Sequence, residues 1–211
     1  MGYIKTEGLS YQYPEGKIFN FPDLKVEENE SWLLTGNSGS GKTTLLHLIA
    51  GILIPSSGTL DIANTLLRDL KPTELDIFRA KHFGMIFQKN YFIEALSMHK
   101  NLLYFTELSG NNADLEFMDK LLNDLGIADL VLKKPATLSS GELQRFSIAR
   151  AMINKPGIIL ADEPTSSLDD DNCKRFTELI MSICKTYHVT LLLATHDARL
   201  KKEFTNKIQL N

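Results

Sequence analysis

The sequence predicts an α/β domain built on a parallel sheet, with a β-rich N-terminal part and a helical insertion. Three observations carry this. Residues 158–161 are apolar at every position and 189–194 at every position but Thr190, the pattern of parallel strands covered on both faces. Helical stretches alternate with these runs, as strand–helix–strand units require. A glycine-rich loop stands between a short buried strand at 31–35 and a helix at 43–50, where a phosphate-binding turn belongs.

Residues 3–35 contain short β-like runs at 3–6, 9–13, 18–21, 24–27 and 31–35. Turn signals at Pro14-Glu15-Gly16, Pro22-Asp23 and Glu28-Asn29-Glu30 separate them. Alternation puts Tyr11 and Tyr13 on one strand face. Either one of them stacks on a base beside the loop, or both are ordinary sheet aromatics. The loop itself, Gly36-Asn37-Ser38-Gly39-Ser40-Gly41-Lys42-Thr43-Thr44, fits G-x-x-x-x-G-K-[ST]. Its glycines let successive N–H groups turn toward an anion. Lys42 is placed for the terminal phosphates and the Thr43 hydroxyl for Mg²⁺.

Gly51 to Leu60 reads as a helix stop, a turn and entry into a strand. Residues 66–82 are charged and helical in parts, and 83–87 form a buried strand ending at Gln88. From Lys89 to about Pro135 the chain turns helical and loop-rich, with a turn at Gly110-Asn111-Asn112. Leu115, Met118, Leu122 and Leu125 recur there at helical spacing, a packed face rather than a ligand box. Leu138-Ser139-Ser140-Gly141-Glu142 opens a helix to about Asn154, broken by Lys155-Pro156-Gly157. The strand at 158–161 ends in Asp162 and Glu163. A helix over about 170–187 leads to the strand at 189–194, which ends at Thr195-His196-Asp197.

The 211 residues suit one such domain. A net charge of −3 supplies no domain-wide basic field, so nucleic acid is not the expected ligand. Cys173 and Cys184 share one predicted helix without zinc spacing and read as reduced thiols. The N-terminus is no signal peptide, and Met1-Gly2 meets the myristoylation pattern only loosely. No apolar run approaches the ~20 residues that span a bilayer, so the membrane part of any membrane process belongs to another chain.

In parallel α/β sheets ligands bind at the strand carboxyl ends. The phosphate loop, Gln88, Asp162-Glu163 and His196 all occupy such ends. Asp162 is expected to hold Mg²⁺ and Glu163 to polarise the attacking water. Gln88 either ligates Mg²⁺ or senses the γ-phosphate. His196 either contacts that phosphate or orients Glu163 and the water, whereas His47, His82, His99 and His188 read as packed or surface residues.

Together these residues resemble the ATP-binding-cassette (ABC) ATPases, over essentially the whole chain. Gly36 to Thr43 looks like the family's phosphate loop, Gln88 its Q-loop glutamine, and residues 138–142 its signature motif. Residues 158–163 look like its Walker B strand with the catalytic glutamate, Ser167-Leu168-Asp169 its D-loop, His196 its switch histidine. Tyr13 resembles the adenine-stacking aromatic, with Tyr11 the fallback. Ser140 stands where the signature usually has its first glycine and Glu142 where many members have glutamine; an active signature is still expected, with altered ATP affinity at most.

The resemblance implies a P-loop NTPase core with a mixed, mainly parallel sheet, an N-terminal antiparallel β subdomain and an inserted α-helical subdomain. Residues 1–211 then form a single domain, with the insertion at about 89–137. It implies MgATP hydrolysis, and a head-to-tail homodimer or heterodimer in which each ATP lies between one phosphate loop and the partner's signature, Ser139, Ser140, Gly141 and Glu142, with Asp169 nearby. It also implies a separate integral membrane permease, received around 88–105, and hence a cytoplasmic position against the inner face of the membrane. Residues 67–88 are similar to the bacterial branch that serves lipoprotein release, macrolide-type export and the cell-division permease complex. The few residues after His196 leave no room for the regulatory domains of some importer ATPases. The competing expectation is a soluble ABC ATPase of DNA repair, translation or iron–sulfur assembly. The coiled coils, zinc modules and tandem cassettes of those proteins are not seen. A pseudo-ATPase is disfavoured because Lys42, Asp162, Glu163 and His196 are all present.

Overall fold

A computed structural model describes residues 3–14, 16–110, 112–166 and 168–210. Ser167, Glu15, Asn111, Met1 and Gly2, and so parts of the expected D-loop, two expected turns and the acylation pattern, lie outside the described residues.

The expected mixture of strand directions divides between two sheets. The first is antiparallel. It is organised by β1 (Ile4–Gln12), which pairs with β2 (Ile18–Asn20), β3 (Leu24–Val26) and β5 (Ser57–Ile62), while β6 (Thr65–Leu66) pairs with β5. The sequence suggests two runs where β1 is one strand. The break at residues 7–8 is a register shift between Glu7 and Ser10, where the Gly8 N–H donates to Asp23 Oδ1 at 2.7 Å. This is a bulge, which bends a strand without ending it.

The second sheet is parallel throughout, in the order β10 (Asn206–Gln209), β4 (Ser31–Thr35), β9 (Thr190–Thr195), β8 (Ile158–Asp162), β7 (Phe83–Ile86). Its apolar runs are explained by what covers them. Ile159, Ala161, Leu191 and Leu193 enter one core, and Ile158, Leu160, Leu192 and Ala194 the other. Alternate side chains therefore meet apolar neighbours on both faces, and no polar stripe survives.

On one face lie the antiparallel sheet and α1 (Lys42–Ile49), whose Leu45, Leu46, Leu48 and Ile49 are fully buried. The other carries α5 (Ser140–Met152) and α6 (Asp170–Thr186). It also carries α3 (Met98–Leu108) and α4 (Leu115–Asp124), which fall between β7 and α5 in the chain. Phe146 of α5 has no exposure, and truncating such a ring to alanine costs about 3–5 kcal/mol. Met118, Leu122 and Leu125 pack as their spacing predicts, but Leu115 is 55% exposed because it starts α4, outside the core. The helix α2 (Pro72–His82) precedes β7.

One close approach fixes a residue type. A Cβ on Gly84 of β7 would stand 2.2 Å from the Ala151 carbonyl oxygen of α5. Glycine lets this helix lie directly on the strand that leads to Gln88.

Candidate functional site

The parallel sheet brings the carboxyl ends of β4, β7, β8 and β9 to one edge. A cleft of about 780 Å³ opens there. Tyr13, Lys17, Phe19, Ser38, Gly39, Gly41, Lys42, Thr43, Thr44, Gln88, Glu163 and His196 line it. The sequence expectation thus converges in space for the loop, the strand-end glutamine, the glutamate and the histidine.

The loop leaves β4 and enters α1 at Gly41, whose φ of 96° is left-handed. A Cβ there would also meet the Phe19 ring at 2.6 Å, so glycine serves both conformation and contact. Lys42 folds back over the loop. Its Nζ donates to the carbonyls of Gly36 at 2.9 Å and Asn37 at 3.1 Å, and the residue is 6% exposed. Gly36 and Asn37 act through these backbone oxygens and do not line the cleft. Ser40 does not line it either. Its N–H is used in a turn to Asn37 O, and its hydroxyl packs against the Gly36 Cα side.

Thr43 and Asp162 meet across the start of α1 and the end of β8. The Thr43 hydroxyl donates to Asp162 Oδ2 at 2.8 Å, while Asp162 Oδ1 is buried with no hydrogen-bond partner among the described residues. Burial raises the Asp162 pKa above the usual aspartate value; the Thr43 hydrogen bond works against that rise and neighbouring Glu163 adds to it.

Glu163 has a left-handed backbone, φ 48°, an uncommon conformation for a non-glycine residue. Its N–H donates to Ala194 O at 2.8 Å, which ties the end of β8 to β9. The carboxylate is thereby aimed along the cleft. His196 Nδ1 stands 2.9 Å from Oε1, and the His196 backbone N–H donates to Oε1 at 3.1 Å. The Thr195 hydroxyl donates to Oε2 at 2.8 Å. Lys42 Nζ lies 3.6 Å from Oε1. Of the two readings of His196, this geometry matches the one that orients Glu163.

Tyr13 lies just beyond β1, and its hydroxyl is 3.0 Å from Thr44 Oγ1. Tyr11 packs edge-on against it at 4.8 Å and belongs to the core beneath. Of the two tyrosines, Tyr13 is the one on the cleft.

The residues 139–142 and 169 stand apart from this cleft. Ser139 caps α5: its N–H and its hydroxyl both donate to Glu142 Oε2 at 2.7 Å, and its Oγ accepts from Glu142 N at 3.3 Å. The Ser139 hydroxyl and N–H hold the Glu142 carboxyl below the usual glutamate range. Ser140 and Gly141 form the first turn, and a Cβ on Gly141 would meet nothing within 4 Å. Asp169 caps α6 by accepting from Asn172 N at 2.8 Å, which together with the Asn172 side chain lowers its pKa.

Sequence reasoning missed Lys17, Phe19 and Thr195. Lys17 Nζ donates to Gly39 O at 2.8 Å and lies 4.5 Å above the Phe19 ring. Nothing in the local pattern marks it. Thr195 was in view as the residue before His196, but its hydroxyl contact needs the register of β8 against β9.

The sequence profile described as ABC transporter matches residues 19–166. The chain belongs to the ABC transporter family. It is the ATP-binding, ATP-hydrolysing kind of subunit in that family. The "Lipoprotein-releasing system ATP-binding protein LolD" of Xanthomonas euvesicatoria pv. vesicatoria is 34% identical over 214 residues, covering 99% of this chain and 88% of that protein. A dimeric structure of MJ0796, described as a bacterial ABC transporter cassette, superposes with a TM-score of 0.83 at 30% identity, covering 98% of this chain and 94% of that one. A second MJ0796 dimer, in a post-hydrolysis state bound to ADP and Pi, has the same TM-score and identity and covers 99% and 94%. Among the described residues no helix of this ABC ATPase is long and apolar enough to cross a membrane.

Proposed function

We propose that this ABC ATPase drives a separate membrane permease of the lipoprotein-releasing class, with two cassettes closing head-to-tail on two ATP molecules. The observation that carries this is the divided site. The cleft gathers a phosphate loop, a strand-end glutamine and a held glutamate. The capped start of α5, Ser139 to Glu142, faces elsewhere on the same chain. A helix start with free N–H groups is an anion site, and within its own subunit it has no phosphate to serve. A second copy, or a homologous cassette, supplies that phosphate.

The roles follow from position. Tyr13 stacks on the base. The loop N–H groups and Lys42 hold the phosphates, with Lys42 exchanging its two loop carbonyls for phosphate oxygens. Thr43 and Asp162, joined by Gln88, fit Mg²⁺. Among the described residues no group of three His, Cys, Asp or Glu side chains has the arrangement to hold a metal ion by itself. A cation here therefore completes its shell with water and phosphate oxygens, the habit of Mg²⁺. Bound there, Mg²⁺ would supply charge neutralisation at the β- and γ-phosphates. Glu163 accepts the proton of the attacking water. His196 and Thr195 fix the two carboxylate oxygens, so the base is oriented before the water arrives. Asp169, capping α6, stands with Ser139 on the surface offered to the partner cassette.

Residues 1–211 act as one nucleotide-binding domain with a helical insertion at about 89–137. Exposed Tyr91, Ile93, Tyr104 and Leu108 in that insertion are the surface for the permease. On this reading the protein works in the cytoplasm, held to the inner face of the membrane by its permease.

The deciding experiment uses Glu163→Gln. Turnover should fall by a factor of about 10² or more, and ATP with Mg²⁺ should shift the variant from monomer to dimer in size exclusion. Unchanged hydrolysis, or no dimer, would refute the assignment. Native membranes that yield no integral membrane protein on pull-down would refute the permease link.

A further inference from the structure

Among the described residues Arg150 is the one strongly buried cation that the reaction above leaves without a task. It sits on α5, 8% exposed. Among the described residues no carboxylate pairs with it. Its guanidinium donates instead to two backbone carbonyls, Tyr91 O at 2.6 Å and Met85 O at 3.4 Å. Three aromatic rings surround it: Phe87, Phe92 and Phe105, with centroids at 5.7, 5.3 and 5.3 Å. Burial pushes its pKa down to about 10, so it keeps its charge at neutral pH. Burying a cation without an anion is costly, and rings and carbonyls are what offset that cost here.

What these partners have in common is position. Met85 is the penultimate residue before the end of β7, and Phe87, Tyr91 and Phe92 flank Gln88 along the irregular segment that follows. A second link lies one turn earlier on α5, where the Ser147 hydroxyl donates to Asn90 Oδ1 at 2.6 Å. Segment 87–92 is therefore held by side chains of α5. At its other end, roughly 16 Å along the axis, α5 starts at Ser139.

We infer that Arg150 is a positioning residue that clamps the Gln88 segment to α5, so that Gln88 in one nucleotide site and Ser139, which serves the other, shift as one body. The inference rests on the two-cassette reading above. Arginine suits the task because one planar group reaches two carbonyls while its faces meet rings. Lysine keeps the charge but can satisfy neither arrangement fully. Coupling of this kind is reciprocal: what ATP does to Gln88 biases Ser139 toward its partner's nucleotide, and the reverse.

The test compares Arg150→Met, which fills the space without charge, and Arg150→Lys with the wild type. The clamp predicts that Arg150→Met lowers turnover at saturating ATP by roughly tenfold or more, since small misplacements near the chemistry cost that much. KM for ATP should stay within about twofold, because the phosphate loop is untouched. Arg150→Lys should fall between. Hydrogen exchange of amides 87–92 should quicken in Arg150→Met while that of 43–49 does not. A folded Arg150→Met protein with wild-type turnover, or with unchanged exchange at 87–92, would overturn the inference. If Arg150→Met does not fold, Ser147→Ala decides by the same measurements: the same split supports the clamp, and wild-type behaviour rejects it. A wild-type protein that hydrolyses no ATP would refute the function proposed above, and the exchange comparison would still decide the clamp.

Discussion

His196 Nδ1 and Glu163 Oε1 stand 2.9 Å apart, and the same carboxylate oxygen lies 3.6 Å from Lys42 Nζ. The carboxylate is thus held between a residue at the end of β9 and the phosphate-loop lysine. His196 is 61% exposed at the side chain and Glu163 only 16%, so the histidine covers the glutamate from the solvent side. Replacing His196 by alanine leaves the Thr195 hydroxyl and the backbone N–H on the carboxylate, but frees its rotation. Turnover should drop by about 10² with ATP affinity nearly unchanged, an orientation loss rather than a binding loss. Steady-state kinetics beside an equilibrium binding titration separate the two; a parallel fall in affinity would contradict this role.

Lys42→Ala removes the cation that the loop carbonyls of Gly36 and Asn37 now hold. Hydrogen bonds to charged groups contribute about 1.5–3 kcal/mol, so ATP affinity should weaken by at least about tenfold. Fluorescent-nucleotide titration measures this directly. Retained micromolar affinity would sink the assignment of the loop.

Glu142 makes a pH prediction. Its folded pKa lies below the ordinary glutamate value of 4.5 because Ser139 donates to the carboxylate. The folded state therefore releases that proton more readily than the unfolded state does. The contribution is fully present above about 4.5 and is lost as pH falls through the lowered folded pKa. The stability difference between wild type and Glu142→Ala should be constant near neutrality and shrink below pH 4.5. Urea midpoints of both proteins at matched pH check this, and taking the difference cancels other acids such as Asp169 and Asp197, whose pKa values are also lowered.

Gly84→Ala should destabilise the fold by about 1–3 kcal/mol, the usual cost of overpacking a filled interface. The added methyl meets the Ala151 backbone, which cannot rotate away as a side chain could. A lowered urea midpoint at unchanged slope is the expected reading. A wild-type midpoint would mean that α5 yields without cost.

Much of the site was legible because its residues are local to strand ends. Lys42 and Thr43 follow a strand by a fixed motif, and Asp162, Glu163 and His196 each end an apolar run. What could not be read depends on register or on long-range packing. The contact of Thr195 with Glu163 exists because β8 and β9 are paired with Asp162 opposite Ala194. Arg150 looks like one more charge on a helix until Phe87, Phe92 and Phe105 are folded around it. The strand β10 was missed because Asn206–Gln209 is short and carries a lysine, as edge strands tolerate. The runs at 3–6 and 9–13 prove to be one strand, interrupted only by a bulge at which Gly8 has a positive φ of 55°.

The strand that feeds the phosphate loop has both its neighbours late in the chain: β4 ends at Thr35, β9 begins at Thr190 and β10 at Asn206. On the ribosome, β4 waits roughly ten to thirty seconds with neither edge paired, at ordinary rates of synthesis. Leu33 and Leu34 are exposed for that interval, and the first 150 or so residues emerge without a sheet in which to seat their own loop. Nucleotide can therefore assist the seating of this loop only after the chain has been made as far as β9 and β10, and early formation of the N-terminal antiparallel sheet is one way to keep β4 from pairing elsewhere until then.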